Sequence, residues 1–268
     1  MQSKIYFAHA NGIPAAVYQS LWQCLQDTYQ VSYLPIVGMN AAYPVSLHWE
    51  ALVDEVLEDM QQRYGNEAVI GVGHSFGALL LWRCAFKRPE RFTQLVLMDP
   101  PIMMGMRAMV FEPLQYFKLK MADKFSPAGV TLRRRDTWQH RDEAYQSLRH
   151  NRLFQHFEEA CFADYMQHGL VATGVDETVT LRIPKRLEAE IFRQFPVYWW
   201  RKPSVALNLP VHLLAASGGL FYQQGHTTAF TRKFGIQQTV VQGGHMFPLE
   251  QVAHTADLLR QILCQKSA

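Results

Sequence analysis

A serine between two glycines joins two apolar runs: Gly73-His74-Ser75-Phe76-Gly77 follows Ala68-Val69-Ile70-Gly71-Val72 and precedes Ala78-Leu79-Leu80-Leu81-Trp82. Where a strand turns directly into a helix through this spacing, the serine is forced into a strained, sharply turned backbone. The glycines are needed because side chains on either side would collide. The serine hydroxyl is thereby pushed out to where a base and a substrate can reach it. The helix starting at the turn also aims unpaired backbone N–H groups at the point where an oxyanion would form. Ser75 is read as a nucleophile; in another context the pentapeptide would be only a tight turn.

The surrounding sequence alternates between strand and helix patterns. Strands are expected at Ile5–Ala8, Val31–Ile36, Ala68–Val72 and Leu95–Met98, with helices at Pro14–Asp27, Leu47–Tyr64 and Ala78–Phe86 between and after them. The alternation stops near Pro100-Pro101 and resumes with a strand at Val211–Ala215, a helix at His226–Phe234, a strand at Gln238–Val241 and a last helix at Val252–Cys264. Between the two blocks the patterns are helical (Glu143–Leu153, Leu153–His168, Pro184–Gln194), and no strand is expected there. Short apolar strands separated by helices call for a mostly parallel sheet covered on both faces. The expected organisation is an α/β core of residues 1–100 and 204–268, interrupted by a helical insertion over 101–203.

Composition excludes several other classes. With 49% hydrophobic and 18% charged residues in 268, the chain is ordinary globular protein. A net charge of +3 gives no concentrated basic face for nucleic acid. Cys24, Cys84, Cys161 and Cys264 are far apart in apolar helical contexts and are read as buried free thiols, with no metal site. With neither a basic and apolar leader nor a run of eighteen apolar residues, the expectation is a cytoplasmic protein without a transmembrane segment.

Three motifs in order, His9-Ala10-Asn11-Gly12 after the first strand, the Ser75 pentapeptide, and Gly243-Gly244-His245 after the last strand, make the chain resemble the α/β-hydrolase superfamily over nearly its whole length. The resemblance implies a serine nucleophile, a histidine base and an oxyanion hole of two backbone N–H groups. Carried onto this sequence these are Ser75, His245, and the N–H groups of Phe76 and of Ala10 or Asn11. It makes the insertion a cap and implies no cofactor or metal. Among eleven histidines, His245 is singled out because in this fold the base lies on the loop after the last strand. His9 is read as a support for the oxyanion loop, Asn11 as a second substrate contact, and His74 as a packed elbow residue.

The acid departs from the commonest pattern of the superfamily. Its usual place follows the strand at Val211–Ala215, yet no Asp or Glu occurs between Lys202 and Glu250. An imidazole without a carboxylate would lose its tautomer preference and its stabilisation when protonated. Asp99, after Leu95–Met98, is the substitute, because carboxyl ends of parallel strands converge on one crevice; in the alternative it only caps a turn. This displaced acid, with the His-Ala-Asn-Gly loop and the large cap, is also similar to peroxisomal-type acyl-CoA hydrolases and fungal secondary-metabolite esterases.

Substrate contacts are expected from cap methionines and aromatics, chiefly Met103, Met106, Trp199 and Trp200, which could instead merely join cap helices. The expected activity is hydrolysis of a small-molecule ester or thioester with an apolar acyl group, an acyl-CoA among the candidates. Carbon–carbon bond cleavage, perhydrolysis on the same residues, and a non-catalytic ligand-binding member remain the alternatives.

Overall fold

The computed structural model describes residues 2–117, 126–198 and 207–264. The chain enters through β1 (Ser3–Ala8), a 3-10 turn at Ala15–Tyr18, α1 (Gln19–Gln23) and β2 (Tyr29–Tyr33). It continues through α2 (Glu50–Tyr64), β3 (Val69–His74), α3 (Phe76–Lys87) and β4 (Phe92–Met98). The segment that follows carries α4 (Met106–Tyr116), α5 (Ala128–Arg133), β5 (Thr137–Trp138), α6 (Arg141–Arg149), α7 (Glu159–His168), β6 (Leu170–Ala172), β7 (Val179–Leu181) and α8 (Lys185–Arg193). The chain then returns through β8 (Val211–Ala216), α9 (Leu220–Gln223), α10 (His226–Phe234), β9 (Gln237–Val241), α11 (Phe247–Glu250) and α12 (Val252–Cys264).

Six strands form one sheet in the order β2-β1-β3-β4-β8-β9, every neighbouring pair parallel. A fully covered parallel sheet buries both faces, so its strands are apolar throughout while side chains still alternate between the two layers. Ile5, Phe7, Val96, Met98, Leu214 and Ala216 pack with α1 and α12 on one face. Tyr6, Ala8, Leu95, Leu97, Leu213 and Ala215 pack with α2, α3 and α10 on the other. The sheet therefore clamps the carboxyl ends of β1, β3, β4 and β8 side by side. The expected parallel α/β architecture is the one observed.

Two expectations about elements change. The segment between β4 and β8 is not purely helical, because β5, β7 and β6 form a small antiparallel sheet. Strands of two or three residues are too short for a period-two pattern, although Val171, Val179 and Thr180 carry suitable β-branched chains. The helix expected from Leu47 starts at Glu50, since His48 (φ 56°) and Trp49 (φ 62°) sit in left-handed backbone. That kink turns the Trp49 indole onto Phe76 and Phe195 and lets its Nε1–H donate to the Ile191 carbonyl at 2.8 Å.

Cys84 and Cys161 are buried, but Cys24 is half-buried and Cys264, in the last turn of α12, is exposed. No helix among the described residues is long and apolar enough to cross a membrane.

Candidate active site

Ser75 sits between β3 and α3 with φ 53° and ψ −118°, a conformation that costs a side-chain-bearing residue of order 1–3 kcal/mol and persists only where its surroundings impose it. Its N–H donates to the Met98 carbonyl at 2.8 Å, which ties the elbow to β4. Both flanking glycines are required by close approach. A Cβ on Gly73 would lie 2.6 Å from the Ala78 backbone, and one on Gly77 would lie 2.1 Å from the Ala8 carbonyl oxygen.

His245 follows β9 and points its ring between two partners. Nε2 lies 2.8 Å from Ser75 Oγ, and Nδ1 lies 2.5 Å from Asp99 Oδ2. A carboxylate only accepts, so Nδ1–H is the donor to Asp99; the neutral ring then accepts the Ser75 hydroxyl at Nε2. The structure thus brings Ser75, His245 and Asp99 into one hydrogen-bonded line.

Asp99 ends β4 with φ 40° and is 1% exposed. Its N–H donates to the Leu214 carbonyl at 2.7 Å, and its Oδ1 accepts the Ala216 N–H at 3.0 Å. The turn after β8 wraps around this carboxylate. A Cβ on Gly219 would stand 2.9 Å from Asp99 Oδ2, so the turn that ordinarily supplies the acid here makes room for one from the adjacent strand.

The loop after β1 is set by His9. Its Nε2 accepts the Val37 N–H at 2.9 Å, leaving Nδ1–H to donate to the Ala10 carbonyl at 2.8 Å. Burial pushes the His9 pKa down to about 4, so the ring stays neutral. Because a trans peptide opposes its C=O and N–H, drawing the Ala10 carbonyl toward His9 turns the Asn11 N–H the other way. The Ala10 N–H faces Tyr18 Oη at 3.4 Å. The backbone N–H groups of Asn11 and Phe76 donate to no protein acceptor among the described residues. Of the two loop candidates, Asn11 therefore has the free donor.

A cavity of about 390 Å³ opens over Ser75 and His245. Trp49, Met103, Phe111, Ile191, Phe192 and Phe195 give it apolar walls, and Asn11, Glu188, Arg107 and His226 add polar groups. The expectation for Met106 changes: it is 82% exposed and outside the cavity lining, which α4 supplies instead through buried Phe111 and exposed Arg107, one turn apart on the same side of the helix. Trp199 and Trp200 lie outside the described residues.

Glu188 was not legible from its own neighbourhood in the sequence. It is buried in α8 against Gly12, where a Cβ would come within 2.7 Å of its Oε2, and Gly12 itself has φ 80°. Arg134 holds the carboxylate at 3.0 and 2.5 Å, opposing the upward pull of burial on its pKa. The Asn11 side-chain amide donates to the Glu188 carbonyl at 3.0 Å, so the insertion grips the loop after β1. No group of three or more His, Cys, Asp or Glu side chains among the described residues is arranged to hold a metal ion.

Comparison with known proteins agrees with this architecture. The sequence model described as "Alpha/beta hydrolase family" matches residues 14–258. The type I acyl-CoA thioesterase mpaH of Penicillium brevicompactum is 27% identical over 227 residues, covering 70% of this chain and 49% of the relative. The chain spans about half the length of the curated relatives it matches. Among solved structures, E-2-(acetamidomethylene)succinate hydrolase superposes with a TM-score of 0.73 at 14% identity, covering 98% of this chain and 91% of that one. A thioesterase domain from the curacin biosynthetic pathway superposes with a TM-score of 0.70 at 13% identity, covering 97% and 91%. At these identities the superpositions speak for the fold, and the matched family model covers most of the sequence: the chain belongs to the alpha/beta hydrolase family.

Proposed function

We propose that this protein is a hydrolase that cleaves carboxylic esters or thioesters of apolar acyl groups through an acyl-enzyme on Ser75. The observation that carries the reading is one imidazole, His245, bonded to Ser75 Oγ at 2.8 Å and to Asp99 at 2.5 Å. Oγ attacks the substrate carbonyl while its proton passes to His245 Nε2. The carbonyl oxygen gains negative charge and accepts the N–H groups of Phe76 and Asn11, a type of contact worth about 10²–10³ in rate per donor. Collapse breaks the bond to the leaving group, which departs as an alcohol or thiol with the proton from His245. Water, losing its proton to His245, then attacks the acyl carbon; the acid is released and the proton returns to Ser75. Asp99 holds the Nδ1–H tautomer and stabilises the transient imidazolium without taking the proton itself.

Residues 101–203 serve in this reading as a cap that supplies the acyl-binding wall, supported by Met103, Phe111, Ile191, Phe192 and Phe195 around the cavity. Similarity to acyl-CoA thioesterases makes an acyl-CoA the first thioester to try. The test is a panel of acyl esters and acyl-CoAs of graded length, assayed with the native protein and with Ser75→Ala. Hydrolysis of the longer members that disappears in the variant supports the proposal; cleavage of diketones without ester cleavage would move the reaction to carbon–carbon bonds.

A further inference from the structure

Beneath the elbow lies a buried hydrogen-bond chain with no part in the proton transfers of the proposed reaction. Tyr18 Oη is 2.7 Å from His74 Nδ1, and His74 Nε2 is 2.9 Å from the backbone carbonyl of His245. Tyr18 and His74 are both fully buried. The polarity of the chain follows from its ends. The His245 carbonyl only accepts, so His74 carries its proton on Nε2 and offers a bare Nδ1. Tyr18 O–H must then donate to that nitrogen, which leaves its oxygen to accept the Ala10 N–H at 3.4 Å. One tyrosine and one histidine thus connect the loop after β1, the elbow and the loop carrying His245.

Burial and the neighbouring His245 keep His74 neutral, with its pKa pushed down to about 3, and burial pushes the Tyr18 hydroxyl up, so neither group charges in the neutral range. In a neutral buried imidazole the choice left is the tautomer. The His245 carbonyl requires Nε2–H, and Tyr18 O–H, donating to Nδ1, fixes the orientation of the ring. Without Tyr18 that tautomer persists, because the Nδ1–H form would set its Nε2 lone pair against those of the His245 carbonyl, but Nδ1 loses its partner and the ring is freer to tilt. A tilt of His74 loosens its hold on the peptide bearing the ring that must stay 2.8 Å from Ser75 Oγ.

We propose that Tyr18 and His74 are positioning residues: Tyr18 O–H holds the neutral His74 ring in line through Nδ1, and His74 Nε2–H holds the His245 carbonyl so that the imidazole stays in reach of Ser75. The inference rests on the proposed nucleophile role of Ser75 for its kinetic consequence, but the hydrogen bonds of the His74 ring can be read without any reaction.

The experiment measures two quantities on the native protein and on Tyr18→Phe: the ring ¹⁵N shifts of His74, and the second-order rate of Ser75 modification by a fluorophosphonate. The native protein is expected to give the Nε2–H pattern, constant across neutral pH. The variant is expected to keep Nε2–H, to move the Nδ1 shift to that of a nitrogen without a hydrogen-bond donor, and to label at a rate lower by about ten- to a hundredfold, since misplacement by an ångström costs about that much. On the best substrate of the panel, kcat should fall with KM unchanged. An unmoved Nδ1 shift, or a moved one with an unaltered labelling rate, overturns the inference. Should Tyr18→Phe not fold, His74→Gln, which retains an N–H donor, should label faster than the similarly sized His74→Leu; equal rates overturn it. Failure of native Ser75 to label at all overturns the nucleophile reading instead, and the shifts then still decide whether Tyr18 holds the His74 ring.

Discussion

Asp99 Oδ2 lies 2.5 Å from His245 Nδ1, although the two residues arrive from β4 and from the loop after β9, strands separated in the sheet by β8. The reach across β8 is possible because the turn after that strand is bare. Ala216 donates its N–H to the other Asp99 oxygen, and Gly219 presents no side chain where one would touch the carboxylate. A carboxylate so enclosed orients a partner well, since every competing rotamer would leave a buried N–H unpaired.

Asp99→Asn is accordingly expected to leave the fold intact and lower kcat by up to about four orders of magnitude, the scale of the equivalent change in the serine-protease triad. Steady-state kinetics on the best ester, with circular dichroism as the fold control, checks this. Gly219→Ala is expected to lower the rate as well, by crowding Asp99. A fully active Asp99→Asn would leave His245 without its proposed orienting acid.

Gly12→Ala should destabilise the protein by about 1–3 kcal/mol, because its φ of 80° suits glycine and the added methyl would meet the Glu188 carboxylate. The shift is read from thermal or urea unfolding. Since the same residue borders Asn11, activity should fall beyond the loss of folded protein.

Stability should fall as pH drops below neutrality. His9 and His74 are buried neutral, with pKa values pushed from the ordinary 6.5 to about 4 and about 3, so between those values the unfolded chain binds protons that the folded one excludes. The stabilisation is complete above about pH 6.5 and drains at about 1.4 kcal/mol per pH unit for each ring as pH falls toward 4. Urea midpoints measured from pH 7 to 4.5 test the slope. His9→Asn and His74→Gln should each flatten it.

Acyl preference should follow the apolar cavity wall. Each methylene buried there adds about 0.8 kcal/mol, so kcat/KM should rise about fourfold per CH₂ until the space is filled. Met103→Trp, which enlarges a cavity-lining residue, should move the optimum to shorter chains. A strict preference for acetyl esters would mean that the wall excludes acyl chains instead of accepting them.

The parallel sheet, the elbow and the His245 loop were legible in the sequence because each is local: apolar runs, glycine spacing and strand-to-helix changes lie within a few residues. Asp99 required an argument across the sheet, from the missing acid after β8 to the end of β4. What stayed hidden depends on helical phase or on distant packing. Met106 and Arg107 are adjacent, yet only Arg107 lines the cavity. Glu188 reaches Asn11 across 177 positions, and no local pattern announces such a contact. Likewise, Tyr18 is an ordinary buried aromatic until its oxygen is found beside His74.

The most direct measurement of the central claim is peptide mapping after reaction with a fluorophosphonate, paired with turnover by Ser75→Ala. The proposal predicts a single adduct on Ser75, no adduct in the variant, and turnover reduced by several orders of magnitude in a normally folded protein. An adduct on another serine, or undiminished turnover by Ser75→Ala, would contradict it.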